Sequence, residues 1–182
     1  MALFEKIIEL LVAIFNAISR KKDTQNVKVE LLEGIVSEAA KWLGVHETES
    51  VNVFRKAVDG HAAGEPWCAA FVQYCCAAVS QRVGAEISLV PSELCYDIWQ
   101  KTPKKYRLSK PIPGCVVVWN YPGTTRGHIG IVKFVSKDSL HTIEGNTSDP
   151  EKKESVNGVH LKLRGISGTP GMKILGFLTP FK

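Results

Sequence analysis

Two side chains in this 182-residue sequence have the types and settings for nucleophilic chemistry, the thiol of Cys68 and the imidazole of His128. Cys68 follows Gly64-Glu65-Pro66-Trp67 and stands near the start of an apolar run, Pro66 to Val79 (PWCAAFVQYCCAAV). Proline is favoured in the first turn of a helix, so Cys68 is expected within that turn, where unpaired backbone N–H groups and the helix dipole favour an anion. A thiol so placed ionises more readily, and its thiolate is the reactive form. The same amides can hold the oxyanion of a tetrahedral intermediate.

A thiolate nucleophile needs a base. Of His46, His61, His128, His141 and His160, only His128 sits in a run of the form Gly-His-Ile-Gly-Ile-Val, where small neighbours leave the ring open at the start of a strand. Ser136-Lys137-Asp138-Ser139 reads as a hairpin turn, and a turn centred near Lys137 sets His128 opposite Asn146. Glu144 then falls two residues inward on the same face, because side chains alternate along a strand. A carboxylate or amide bonded to one ring nitrogen fixes the tautomer and turns the other nitrogen to the thiol. Each residue alone has a plainer explanation: a core cysteine, a surface histidine, a strand-ending Gly-Asn turn. Their convergence points to a cysteine hydrolase.

Cys75, Cys76, Cys95 and Cys115 read as small core residues. With five cysteines, an odd number, and no paired Cys-x-x-Cys sets, neither a disulfide framework nor a structural zinc site is expected. A catalytic zinc on His128, His141 and Glu144 fails on strand alternation, which sends 141 and 144 to opposite faces.

The elements that must hold these residues come in two textures. Apolar positions keep helical period from Val29 to Leu43 and again over Val51 to Val58, the run after Pro66 is apolar nearly all round, and Pro91-Ser92-Glu93 opens a further helix with Ser92 as cap. From Cys115 onward the runs are β-rich: Cys115 to Trp119, His128 to Val135, Leu140 to Gly145, Val159 to Arg164 and Ile174 to Leu178. Helices first and an antiparallel sheet of about five to six strands second imply an α+β domain. We place that domain at residues 27–182, preceded over 1–26 by an amphipathic helix and a polar linker, Arg20 to Asn26. The helix stripe through Phe4, Ile8, Leu11, Phe15 and Ile18 suits packing on its own domain. Self-association or contact with a membrane surface through residues 3–18 stays open. The segment has neither the pattern of a secretion signal nor the length of a bilayer span.

With 45% apolar residues the chain can bury a core. Its net charge of +5 favours encounter with anionic polymers. No basic stripe interleaved with aromatics, helical reading pattern or zinc finger appears, so nucleic acid is not an expected partner.

The runs Gly-Glu-Pro-Trp-Cys-Ala-Ala-Phe-Val, Pro-Gly-Cys-Val-Val-Val-Trp, Gly-His-Ile-Gly-Ile-Val and Glu-Gly-Asn, in this order, resemble the CHAP family of cysteine, histidine-dependent amidohydrolases and peptidases, over roughly Val29 to the C-terminus. The resemblance implies a papain-like fold, with Cys68 as nucleophile, His128 as base, Glu144 orienting the histidine and Asn146 as a further polar member. It implies bacterial peptidoglycan as substrate, cut as an N-acetylmuramoyl-L-alanine amidase or an endopeptidase, by an enzyme made in the cytoplasm and acting on the cell wall. The size is similar to that of single-domain phage endolysins. Some family members bind calcium through acidic residues before the nucleophile. Here Asp59 and Glu65, with His61 and Gly64 between, lack the alternating acid pattern, Glu47 and Glu49 read as solvated loop charges, and no cofactor is expected. Trp67 and Trp119 are candidate walls of the substrate groove.

Two other readings use the same residues differently. A papain-like toxin or deamidase acting on protein would share Cys68 and His128. A non-catalytic partner-binding module would rely on the first helix, and would leave Cys68, His128 and Glu144 together unexplained.

Overall fold

The structure, a computed structural model, describes residues 2–47, 51–59, 66–148 and 157–182. Among these residues four α-helices come first: α1 (Ala2–Ala40), α2 (Asn52–Asp59), α3 (Cys68–Val83) and α4 (Cys95–Lys101), followed by a short 3-10 turn at Lys104–Tyr106. Six strands follow: β1 (Arg107–Leu108), β2 (Val116–Asn120), β3 (Gly127–Val135), β4 (Ser139–Ser148), β5 (Asn157–Gly165) and β6 (Lys173–Leu178). They form one sheet in the order β1-β6-β2-β3-β4-β5, with every pair antiparallel. The α+β architecture, helices then sheet, is the one the sequence texture implies, and it is consistent with the papain-like fold that the resemblance implies.

The linker expected at Arg20 to Asn26 is not one. These residues are helical, and α1 runs unbroken for 39 residues. No proline or glycine occurs before Gly34, and the Arg, Lys and Gln side chains of this stretch are good helix formers, so polarity alone does not interrupt the backbone hydrogen bonds. The last part of α1 packs on the domain, through Leu31, Ile35 and Ala39 at four-residue spacing. Buried Glu38 shares that face and is neutralised by Lys41 Nζ at 2.6 Å and Arg82 Nη1 at 3.5 Å. Further up the helix, Leu10, Ile14, Phe15 and Ile18 are exposed, Phe15 to 69%. For these residues the expected packing against their own domain is therefore not found. No helix among the described residues is long and apolar enough to cross a membrane.

The nearly all-apolar run becomes α3, the central helix, with Ala69, Ala70, Phe71, Val72, Cys75, Cys76 and Val79 buried. Its small residues let it lie close to the sheet, and Phe54 of α2 fills the gap beside it edge-on to Phe71 at 5.2 Å. Burying an aromatic of this size is worth about 1.5–3 kcal/mol. Gly84 ends the helix in the left-handed conformation (φ 71°), its N–H donating to the Ser80 carbonyl.

Period-two alternation divides the sheet's side chains between two faces. Val116, Val118, Ile129, Ile131, Ile143 and Leu178 meet the helices, while Cys115, Val117, Trp119, Val132 and Leu140 pack on the other side under Ile112, Ile166 and Met172. The hairpin predicted around Lys137 is present, closed by Ser136 N–H to the Ser139 carbonyl at 2.9 Å. Its register pairs Ile131 with Ile143 and Val132 with Thr142, and slips by one residue at Lys133. The two pairs above the slip, Ile131–Ile143 and Val132–Thr142, have the register read from the sequence.

Deleting residues 1–26 removes none of the described buried core, so the shortened chain should unfold cooperatively with a thermal midpoint within about 4 °C of the full chain. A calorimetric trace that loses its cooperative transition would show that this part of α1 carries core contacts.

Candidate active site

Cys68 is the first residue of α3, with Trp67 at the N-cap position and Pro66 just before it. Proline therefore sets the approach to the helix and lies one step outside its first turn. The first α-helical bond is Phe71 N–H to the Trp67 carbonyl at 2.9 Å, so the amides of Cys68, Ala69 and Ala70 precede the hydrogen-bonded ladder. The Ala69 amide hydrogen-bonds the Cys68 sulfur. A charge developing on sulfur, or on a carbonyl oxygen beside it, meets the positive end of a 16-residue helix.

His128 enters from the start of β3. Its Nε2 is 2.8 Å from Glu144 Oε2, which leaves Nδ1 as the ring nitrogen for the Cys68 sulfur, with which the ring is also hydrogen-bonded. Trp119, directly across the β2–β3 ladder, stacks on the imidazole at 5.8 Å between ring centres. The ring is thus held by a carboxylate at one edge and an indole on one face.

Glu144 is fully buried and accepts from three side chains. Thr142 Oγ1 donates to Oε1 at 2.6 Å, Arg164 Nε donates to Oε1 at 2.9 Å, and Arg164 Nη2 makes a second bond to Oε2, the oxygen that also meets His128. Bidentate pairing of this kind fixes both the position and the plane of the carboxylate. Gly130 makes room for it: a Cβ there would stand 2.8 Å from Glu144 Cγ. Gly145, the next residue along β4, faces the other way, and a Cβ on it would stand 2.7 Å from both Phe71 Cβ and the Trp67 ring. Two glycines therefore set how closely β3, β4 and the first turn of α3 approach.

Asn146 follows in the left-handed conformation (φ 54°), at an irregularity in the β4–β5 pairing between Glu144 and Thr147. Asparagine tolerates this conformation better than most residues. The turn brings Asn146 to the wall of a cleft of about 370 Å³, shared with Cys68, His128, Glu93, Leu94, Tyr121 and Arg126. Asn146 thus belongs to the cleft wall, and the histidine's described partner is Glu144 alone of the two.

The two tryptophans expected as groove walls take another role. Trp67 and Trp119 are fully buried; Trp67 stacks on Phe54 at 5.6 Å, and Trp119 backs His128. Both indoles are in the packing because their neighbours, the apolar start of α3 and alternate residues of β2, face inward. The exposed aromatic at the cleft is Tyr121, with the Arg126 guanidinium 6.0 Å from its ring.

Sequence reasoning missed two members. Arg164 was legible in principle, since a buried carboxylate needs more than a neutral imidazole beside it, and position 164 shares its strand face with 160 and 162. The second is Cys95, taken as a core residue. It opens α4, and its Sγ lies 3.5 Å from Cys68 Sγ. The run before α4 also differs: Ser92 Oγ accepts from Leu94 N–H and caps a turn, and the helix starts at Cys95.

The ionisation of the site follows from these contacts. The hydrogen bond from Cys95 S–H, more than any other contact, holds the Cys68 thiol well below the usual cysteine range; burial opposes it, and the His128 ring adds to it. Burial works against a charged His128, yet its bonds to Cys68 and Glu144 prevail and raise it to about 10. Burial would also raise Glu144, but Arg164 and His128 outweigh it and hold the carboxyl at about 2. By contrast, burial pushes Cys76 and Cys115 each up to about 12. The contacts thus favour a Cys68 thiolate facing a His128 imidazolium, the two titrating as a unit.

Among the described residues, no group of three His, Cys, Asp or Glu side chains is arranged to hold a metal ion. Of the residues weighed for calcium, Glu47 is taken up by Arg55 Nη2 at 2.9 Å and by Asn157 Nδ2 at 3.1 Å, while Glu49, His61, Gly64 and Glu65 lie outside the described residues.

Two outcomes follow from this wiring. Arg164→Met strands the buried Glu144 charge and should cost about 3–5 kcal/mol in urea denaturation, with Glu144→Gln on top regaining part of the stability. In the wild type the carboxylate's share of stability is complete above its ordinary pKa of 4.5 and is lost as pH falls towards 2. The second outcome concerns catalysis. The pH profile of kcat/KM should be a bell, its acid limb well below pH 9 where Cys68 gains a proton and its alkaline limb near 10 where His128 loses one. Cys95→Ala should move the acid limb to higher pH. An unmoved limb would show that the Cys95 contact does not tune the nucleophile.

A search of curated proteins finds no match. The CHAP domain family model matches residues 58–146, the stretch that holds α3, α4, the first three strands and most of β4, with Cys68, Cys95, His128 and Glu144. The match thus makes residues 58–146 a CHAP domain.

Proposed function

We propose that the chain is a cell-wall hydrolase that cuts amide bonds of peptidoglycan through a thioester on Cys68. CHAP domains act as amidohydrolases or peptidases on peptidoglycan, and the observation that carries the reading to this chain is Cys68 and His128 lining one open cleft, with buried Glu144 bonded to the far edge of the ring. The thiolate attacks the amide carbonyl, and the first-turn amides of α3 receive the oxyanion. The His128 imidazolium, already formed, gives its proton to the departing amine. Neutral His128 then takes a proton from water, which attacks the thioester and frees the acid. Glu144 keeps the ring in place and offsets its charge in both states.

The cleft mouth supports a peptide substrate bearing both charge types. Glu93 reaches it from the loop before α4, and exposed Arg126 from the loop between β2 and β3. Wall peptides present both carboxylates and amines, whereas glycan alone offers mostly hydroxyls.

Purified wall incubated with the wild type should clear, and Cys68→Ala should lower the rate at least 1,000-fold, on the scale of losing a covalent nucleophile. Mass spectrometry of the fragments distinguishes a freed lactyl group, the amidase outcome, from a cut peptide, the endopeptidase outcome. Clearing by Cys68→Ala at the wild-type rate would sink the assignment, and intact wall alongside a deamidated protein substrate would replace the wall with protein.

A further inference from the structure

Amide hydrolysis accounts for one thiol in this cleft, and there are two. Cys68 and Cys95 both line it, each almost closed to bulk solvent, with their sulfur atoms 3.5 Å apart. The remaining thiols, Cys75, Cys76 and Cys115, are buried elsewhere in the packing and do not border the cleft. A serine at position 95 could donate the same hydrogen bond to the nucleophile. A thiol can do one thing more, which is to bond to it. A disulfide needs the sulfurs about 1.5 Å closer than they stand, a shift within reach of side-chain rotation.

We propose that Cys95 is a resolving thiol: when a peroxide oxidises Cys68, Cys95 closes a reversible Cys68–Cys95 disulfide that halts catalysis and protects the nucleophile from further oxidation. The inference rests on Cys68 being the reactive thiolate of the site. In the first step the Cys68 thiolate attacks one peroxide oxygen and the O–O bond breaks; the hydroxide released takes the His128 proton and leaves as water, with Cys68 now a sulfenic acid. In the second, neutral His128 takes the Cys95 proton, the Cys95 sulfur attacks the Cys68 sulfur, and the sulfenic oxygen departs as hydroxide, which the imidazolium protonates to water. Two thiols and one peroxide yield one disulfide and two waters. Added dithiol returns both cysteines by exchange.

The cleft suits this sequence of events. Peroxide is small enough to reach a sulfur at its floor, and the base needed for each proton is the one used for hydrolysis. Without Cys95 the sulfenic acid would persist and move on to the sulfinic state, which a dithiol does not reduce.

The test treats the full chain with a few equivalents of hydrogen peroxide near pH 7, alkylates the remaining thiols, and follows wall clearing alongside peptide mapping by mass spectrometry. The wild type should lose activity together with two alkylatable thiols, yield a cross-linked peptide joining 68 to 95, and recover most activity with dithiothreitol. Cys95→Ser, checked for native circular dichroism, should instead be inactivated irreversibly with sulfinic acid at Cys68. Absence of the 68–95 peptide in the wild type, or recovery of Cys95→Ser as full as that of the wild type, overturns the proposal. The nucleophile assignment fails separately, by clearing with Cys68→Ala. The disulfide is read by mass whatever the activity shows.

Discussion

A carboxylate sealed from water has to be paid for by its partners, and Glu144 organises the site around that requirement. Its two oxygens accept from Thr142, His128 and both ends of the Arg164 fork. Removing any one leaves a charge in a low dielectric with too few bonds, so the strands that bring them, β3, β4 and β5, are fixed relative to one another by chemistry as well as by backbone pairing. The histidine inherits its orientation from this cluster. The Cys68 thiol inherits its ionisation from a neighbouring thiol and from the histidine.

The same cluster separates two jobs that a single residue could not do. Arg164 neutralises Glu144 permanently, whereas His128 does so only while protonated. The carboxylate therefore remains charged when the imidazole gives up its proton to a leaving group, and it continues to orient the ring for the following step. A site with Glu144 and His128 alone would lose its buried cation at that moment. The order of events in the proposed thioester chemistry thus gives a structural reason for the third strand and its arginine.

Much of this was readable in the residues because local rules decided it. The helix start at Cys68, the period-two runs, and the turn at Ser136 to Ser139 each rest on side chains within a few positions, and the hairpin register follows from the turn. What escaped depended on distance or context. Cys95 meets Cys68 only because the starts of two helices 27 residues apart come together, and no spacing rule encodes that. Arg164 lies on a strand whose pairing the sequence does not number. Trp67 and Trp119 were misplaced because an aromatic near a motif looks the same whether it faces the cleft or the core. The polar residues 20–26 read as a linker, yet charged side chains are as well solvated on a helix as in a loop.

Gly130 and Gly145 carry no group that could touch a substrate, accept a proton or hold an ion, yet each stands where a methyl group would collide with the apparatus. The region intolerant of change is therefore wider than the region that reacts. A redesign that kept every polar residue of the cleft and enriched the surrounding strands in β-branched side chains would improve their local propensity and unseat the carboxylate or lift the hairpin from the helix. In this chain, the space left empty on two strands is as much a part of the sequence specification as the residues that fill the rest.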